Sequence, residues 1–159
     1  MPVPNWTFIV INALYHLGLA LWVGGAIALG ALAAPVLFRA LPRPQAGGLF
    51  GPILRRFARL RVLALLLIVT GEGAKFLLYE SHAATIWIAL RWAAIAFLAL
   101  DLVYEIGYQE GVMERLRQQM GPDAAADDSR RLAFGRLHRR AEALMRVSIL
   151  AALLALVLS

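Results

Sequence analysis

Between Trp6 and Phe38 the chain carries no Asp, Glu, Lys or Arg. Nothing else in the sequence restricts the fold as much, because about 20 consecutive apolar residues already cross the hydrocarbon core of a bilayer. Composition agrees. Of 159 residues 61% are hydrophobic and the mean hydropathy is +0.70, against roughly 45–50% apolar residues in a soluble chain. The sequence predicts an all-α integral membrane protein, a single transmembrane domain over residues 1–159. The start, "MPVPNW", lacks the basic leader of a signal peptide, and the run behind it is too long for one. Despite "ALAAP" at 31–35, the first segment reads as a retained helix.

Four apolar segments are predicted, at about 6–38, 60–79, 84–108 and 141–158. Between the first two, "RALPRPQAGGLFGPILRRFARLR" holds six arginines and no acid, with prolines and glycines expected to break the helix. Between the third and fourth, residues 109–140 carry mixed charge. "GPDAAADDSRR" marks a turn there, with Asp127, Asp128 or Ser129 as candidate caps of the last helix. The connection "ESHA" is so short that helices two and three should be antiparallel neighbours.

Of 16 Lys and Arg, six lie in or beside the first long connection and eight in or beside the second; only Lys75 and Arg91 remain, both inside predicted helices. The positive-inside rule then places both arginine-rich connections in the cytoplasm of an inner-membrane protein, with both termini and "ESHA" outside. Trp6, Tyr79 and Trp87 fall at the outer interface, where an aromatic belt belongs. The net charge of +6 follows this membrane topology and does not point to nucleic acid. With no cysteine, disulfides, thiolate metal sites and Cys nucleophiles are excluded.

Charges inside a bilayer are costly, so they face the bundle interior and find partners. Glu72, Lys75 and Arg91 share one depth with Asn12 and His16, at about 1.5 Å per residue. Asp101 and Glu105, one turn apart, form a second group nearer the cytoplasm, approached by Arg61, His138 and Arg146. These groups read either as ion pairs that orient helices or as a path for a solute or proton. Long side chains near helix ends, Arg61 and Arg146 among them, also snorkel toward the interface. Asn12, His16, Ala20 and Gly24 follow at i,i+4, with Ala13 beside them. Small residues let membrane helices approach closely, so Ala20, Gly24 and Gly25 are expected to mark the face of helix one that touches another helix. His16, on that stripe, should then point into the protein.

The histidine six residues before "WVGG", then "APVLFRALP" and "RRFARLRVLALLLIVTG", resemble the copper resistance protein D-like group of small membrane proteins. "FRALPRPQAG" and "FGRLHRRAEALMRVSIL" resemble the transmembrane protein 205-like family. The resemblance implies a four-helix membrane unit and, for the first group, copper or heavy-metal handling or transport. Carried over by position, the matching residues are His16, Trp22, Gly24, Gly25 and His138. The helix-one histidine is also similar to that of haem-binding membrane proteins of this size. A copper carrier's cysteines and methionine cluster are absent; Met1, Met113, Met120 and Met145 are scattered.

Three functions are therefore expected as alternatives. One is metal handling, with His16 and Glu72 as ligands of copper or another transition metal. The second is haem b binding, with His16 as axial ligand. The third is an accessory subunit that packs against a larger membrane complex; the partners expected are the lipid bilayer and either the chain itself or other membrane subunits. No motif for nucleophilic catalysis, phosphate cradling or a closed zinc site is present.

Overall fold

The computed structural model describes residues 4–82, 85–119 and 129–159. Asp127 and Asp128 lie outside the described residues; Ser129 is the first residue of its helix. Among the described residues every regular element is helical, and the helices join into four long rods. Rod α1 is α-helical over Asn5–Ile27, widens into a π-helical stretch over Ala28–Ala33 and tightens again over Ala34–Ala40. Rod α2 runs over Arg43–Lys75 and widens over Phe76–Glu80. Rod α3 joins Ile86–Tyr104, a π stretch over Glu105–Gln109 and Glu110–Gln119, and rod α4 is Ser129–Val157.

These rods are longer than the expected apolar segments. The second was expected from about 60 and begins at Arg43, the third runs on to Gln119, and the fourth begins at Ser129, well before 141. The arginine-rich stretches are helix and not loop; only Leu41 and Pro42 separate α1 from α2. Arg, Leu, Gln and Glu are good helix formers, and Pro44 sits in the first turn, where a missing N–H costs nothing. The widened turn in α1 sits just before Pro35, which has no N–H to give the carbonyl of Ala31. There the N–H of Ala34 reaches back five residues to Leu29.

Three of the rods are long and apolar enough to cross a membrane: Asn5–Ala40, Arg43–Glu80 and Ile86–Leu116, of 36, 38 and 31 residues. At about 1.5 Å per residue each exceeds a ~30 Å hydrocarbon core. Large apolar side chains cover their outer surfaces, among them Trp6, Leu66, Leu77 and Leu100. A surface so apolar is matched by lipid and not by water.

The rods alternate in direction. Gly18 of α1 lies against Ala64 and Ile68 of α2, while Gly71 lies against Ile11 and Tyr15, an antiparallel register. Arg91 pairs with Glu72, and Arg61 with Asp101, so α2 and α3 are antiparallel neighbours. Arg91 meets the Leu158 carbonyl and Arg130 meets that of Gln119, so α3 and α4 are antiparallel too. The Tyr15 hydroxyl donates to the Ala155 carbonyl at 2.7 Å and closes α4 onto α1. The core is the apolar layer of Leu19, Trp22, Ile68, Ile95, Leu98 and Ala152.

The face α1 buries is Ile11, Tyr15, Gly18, Leu19, Trp22 and Ala26. This corrects the expected stripe. Ala20 and Gly24 are exposed, and a Cβ added at Gly24 meets nothing within 4 Å. Gly25 does face Phe57 of α2. The physical reason is the pair of backbone-to-backbone contacts at Gly18 and Gly71. A Cβ at Gly18 would lie 2.6 Å from the Ala64 carbonyl oxygen, and one at Gly71 2.8 Å from the Tyr15 nitrogen. Those two contacts set the rotation of α1, and they turn the Gly24 stripe outward.

Candidate functional site

Two ionic clusters join α2 to α3, like rungs at different heights. The first stands near the end that carries the 80–82 turn. Arg91, almost fully buried, donates from Nε to Glu72 Oε1 at 2.5 Å and from Nη1 to the Leu158 carbonyl at 2.9 Å. Its Nη2 donates to Glu80 Oε2. Lys75 Nζ lies 3.5 Å from Glu80 Oε1. One guanidinium thus ties α2, α3 and the end of α4 together. Lys75 pairs with Glu80 and not with Glu72, because the widened turns of Phe76–Glu80 bring a residue five places on to the same side of the rod. Formal charge balances, two acids against two bases, but Glu72 Oε2 is buried without a hydrogen-bond partner among the described residues.

The second rung is centred on Arg61, whose side chain is completely buried. Its Nη2 donates to Asp101 Oδ2 at 2.7 Å, and its Nη1 to Glu105 Oε2. Asp101 and Glu105 stand one helical turn apart and so present both carboxylates to one side. The guanidinium carbon lies 4.2 Å from the centroid of the Trp22 ring and 5.9 Å from that of Phe57. The negative face of the indole stabilises a cation there, while among the described residues Arg61 Nε and Trp22 Nε1 have no acceptor. Arg61 does not snorkel. It is held at depth by two acids and a ring.

Between the rungs lie Ala64, Ile68, Ala94, Ile95 and Leu98, and about 16 Å of helix rise separates Arg61 from Glu72. This apolar layer interrupts the polar groups, so they do not form one continuous route across the bundle. Chemically, the rungs fix the register of α2 against α3. Burial makes each pair expensive to break, because the partner left behind is an uncompensated charge.

Several expected site residues lie elsewhere. Arg146, expected in the buried network, is exposed on α4. His138 is exposed, stacks on Phe134 and lies 3.2 Å from Glu142 on its own helix. Asn12 enters through its backbone, whose carbonyl accepts from His16 Nδ1 at 2.8 Å. His16 itself is exposed on the outer side of α1, with Nε2 3.2 Å from Ser159 Oγ. This corrects the expectation that it points inward. The neighbouring Tyr15 takes the inward position, and one residue along a helix turns the side chain by about 100°. His16 and Glu72 are therefore not co-ligands: Glu72 is closed in beside Arg91. Among the described residues no three His, Asp or Glu side chains come together to hold a metal.

Glu80 and Trp22 are the members of the rungs that sequence reasoning passed over as such. The signal for the pairs was present in the short turn after α2. On antiparallel neighbours the numbers of facing residues add to a nearly constant total, which pairs Arg61 with Asp101 once Glu72 is set against Arg91. No comparable signal marks Trp22, whose place over Arg61 depends on the rotation of α1.

A helical bundle with an apolar outer surface and buried, internally paired charges defines an integral membrane protein. The family model described as Domain of unknown function (DUF4149) matches residues 17–121, more than half of the chain, and the chain belongs to that family. The matched stretch contains every charged member of both rungs, and His16 lies just before it. No curated protein and no solved structure matches the chain.

Proposed function

We propose that this protein is a four-span bundle of the inner membrane, one unit over residues 1–159, that works as a packing subunit of a larger membrane assembly. In this reading α4 crosses the membrane with its apolar half, both termini lie outside and the arginine-rich ends face the cytoplasm. The observation that carries the reading is the outer stripe of α1. Ala20 and Gly24 are exposed, Gly24 has open space beside it, and the exposed His16 sets a polar ring among lipid-facing side chains. Ala20 and Gly24 are small residues at i,i+4, the spacing at which membrane helices approach closely. A second helix laid there would cover an imidazole that lipid solvates poorly.

A copy of the same chain is the simplest occupant, since a two-fold axis along the stripe makes the surface self-complementary. Among the described residues copper handling and haem binding find a single candidate ligand, His16, with no second one converging on it. The described residues therefore do not fit a metal or haem site within one chain.

The test uses the absence of native cysteine. Gly24→Cys should cross-link to a dimer in membranes on mild oxidation, and Gly24→Leu should abolish the dimer seen in detergent by light scattering. A monomeric wild type, together with no cross-link, would overturn self-association. An absorption spectrum and elemental analysis of the same sample address the other readings. A Soret band or bound copper, lost in His16→Ala, would replace the packing role with a cofactor or metal role.

A further inference from the structure

At the arginine-rich end, α2 and α3 part to leave an open cleft of about 460 Å³ lined by Arg55, Arg56, Arg59, Pro52, Ile106 and Glu110. We propose that this cleft binds the phosphate of an anionic glycerophospholipid. Three guanidiniums face it against one carboxylate. Only Arg55 has a salt-bridge partner among the described residues, and that contact is loose: 3.8 Å to Glu114, with both side chains about half exposed. The contrast with Arg61, two residues beyond Arg59 on α2, is sharp. Arg61 is buried and held by two carboxylates, whereas Arg56 and Arg59 are exposed and make no salt bridge among the described residues.

The level of the cleft selects the ligand. Arg59 directly precedes Leu60, where the long apolar part of α2 starts, and Ile106 lies where α3 passes from apolar to charged sequence. Ile53, Leu60 and Ile106 are 36%, 38% and 42% exposed. They place apolar surface beside the arginines. A lipid presents the same order, a phosphodiester next to acyl chains. Planar guanidinium forks match phosphate oxygens better than point charges do, and basic pockets between membrane helices are suited to anionic headgroups. Glu110 adds an acceptor for the hydroxyls of a glycerol headgroup, while the excess of guanidiniums over this one carboxylate repels the cation of a choline lipid, and together they favour phosphatidylglycerol.

The experiment is native mass spectrometry of the full chain released from detergent in equal amounts of phosphatidylglycerol and phosphatidylcholine. Wild type should retain phosphatidylglycerol selectively. The triple variant Arg55→Gln, Arg56→Gln, Arg59→Gln should lose it, at roughly fivefold per arginine if each contributes as a charge at a membrane surface does. Should the triple variant fail to fold, Arg56→Gln alone should give roughly one fivefold step. The double variant Arg39→Gln, Arg43→Gln, which removes charge outside the cleft, should bind as wild type. Equal retention of both lipids, unchanged binding in Arg56→Gln, an equal loss in the Arg39 and Arg43 variant, or displacement by inorganic phosphate would each overturn the proposal. None of these outcomes depends on whether α1 docks a second chain.

Discussion

Arg61 and Arg91 occupy the same helix interface but are compensated differently. Arg91 meets two carboxylates and a carbonyl, and Lys75 shares its second carboxylate, so the charges around it balance. Arg61 sits between two carboxylates beneath an indole ring. In both, the cost of a missing partner exceeds the worth of the intact pair, because a buried charge is left in apolar surroundings. Arg61→Met and Glu72→Gln should therefore each destabilise the protein by roughly 3–5 kcal/mol, read as an earlier unfolding midpoint in detergent. Arg146→Gln should stay within about 0.5 kcal/mol, as exposed substitutions usually do. If Glu72→Gln left the midpoint unchanged, Arg91 would be adequately served by Glu80 alone and the first rung would not be a unit.

The helical elements are governed by where glycine permits contact. Gly18 and Gly71 allow the α1 and α2 backbones to meet, while Gly24 borders open space. Leucine should consequently act in opposite ways at these positions. Gly18→Leu and Gly71→Leu overfill a closed interface and should destabilise by roughly 1–3 kcal/mol or more. Gly24→Leu should leave the unfolding midpoint of the monomer unchanged while it blocks association. Parallel thermal and light-scattering measurements on the three variants separate a fold contact from an assembly contact. An unfolding midpoint lowered by Gly24→Leu in a monomeric sample would mean that α1 is rotated from the position described here.

At the scale of the whole molecule, the distribution of arginines and the alternation of the rods make one topology. The Leu41–Pro42 break and the ends of α3 and α4 that carry Gln119 and Ser129 lie at the arginine-rich end, and the 80–82 turn lies at the other. A chain with no native cysteine permits a direct check. His82→Cys should react with an impermeant maleimide in sealed cells, whereas Gln45→Cys should react only after lysis. Both side chains are exposed, so access depends on sidedness alone. Labelling of Gln45→Cys in intact cells would invert the orientation.

Of the four apolar segments expected, three form rods long and apolar enough to cross a membrane among the described residues. The membrane class and the antiparallel pairing of α2 with α3 were legible in the sequence. They follow from local quantities: the length of an uncharged run, the shortness of "ESHA", and the cost of a charge in lipid. The pairing of Glu72 with Arg91 was half legible, because depth along a helix is a linear quantity that counting residues provides. Helix rotation is not linear in this way. A stripe of small residues says that something can approach it, but the choice between the Gly18 and Gly24 sides of α1 depends on which complementary surface α2 offers. Gly71, lying against Tyr15 and Ile11, decided it. With α1 so turned, Tyr15 and Trp22 entered the core and His16 left it, and a residue read as a buried ligand became part of the outer surface. The sequence by itself determined that the chain is built of long apolar helices and how far apart along each helix its charges stand; only the packing of four rods together decided which way each of them faces.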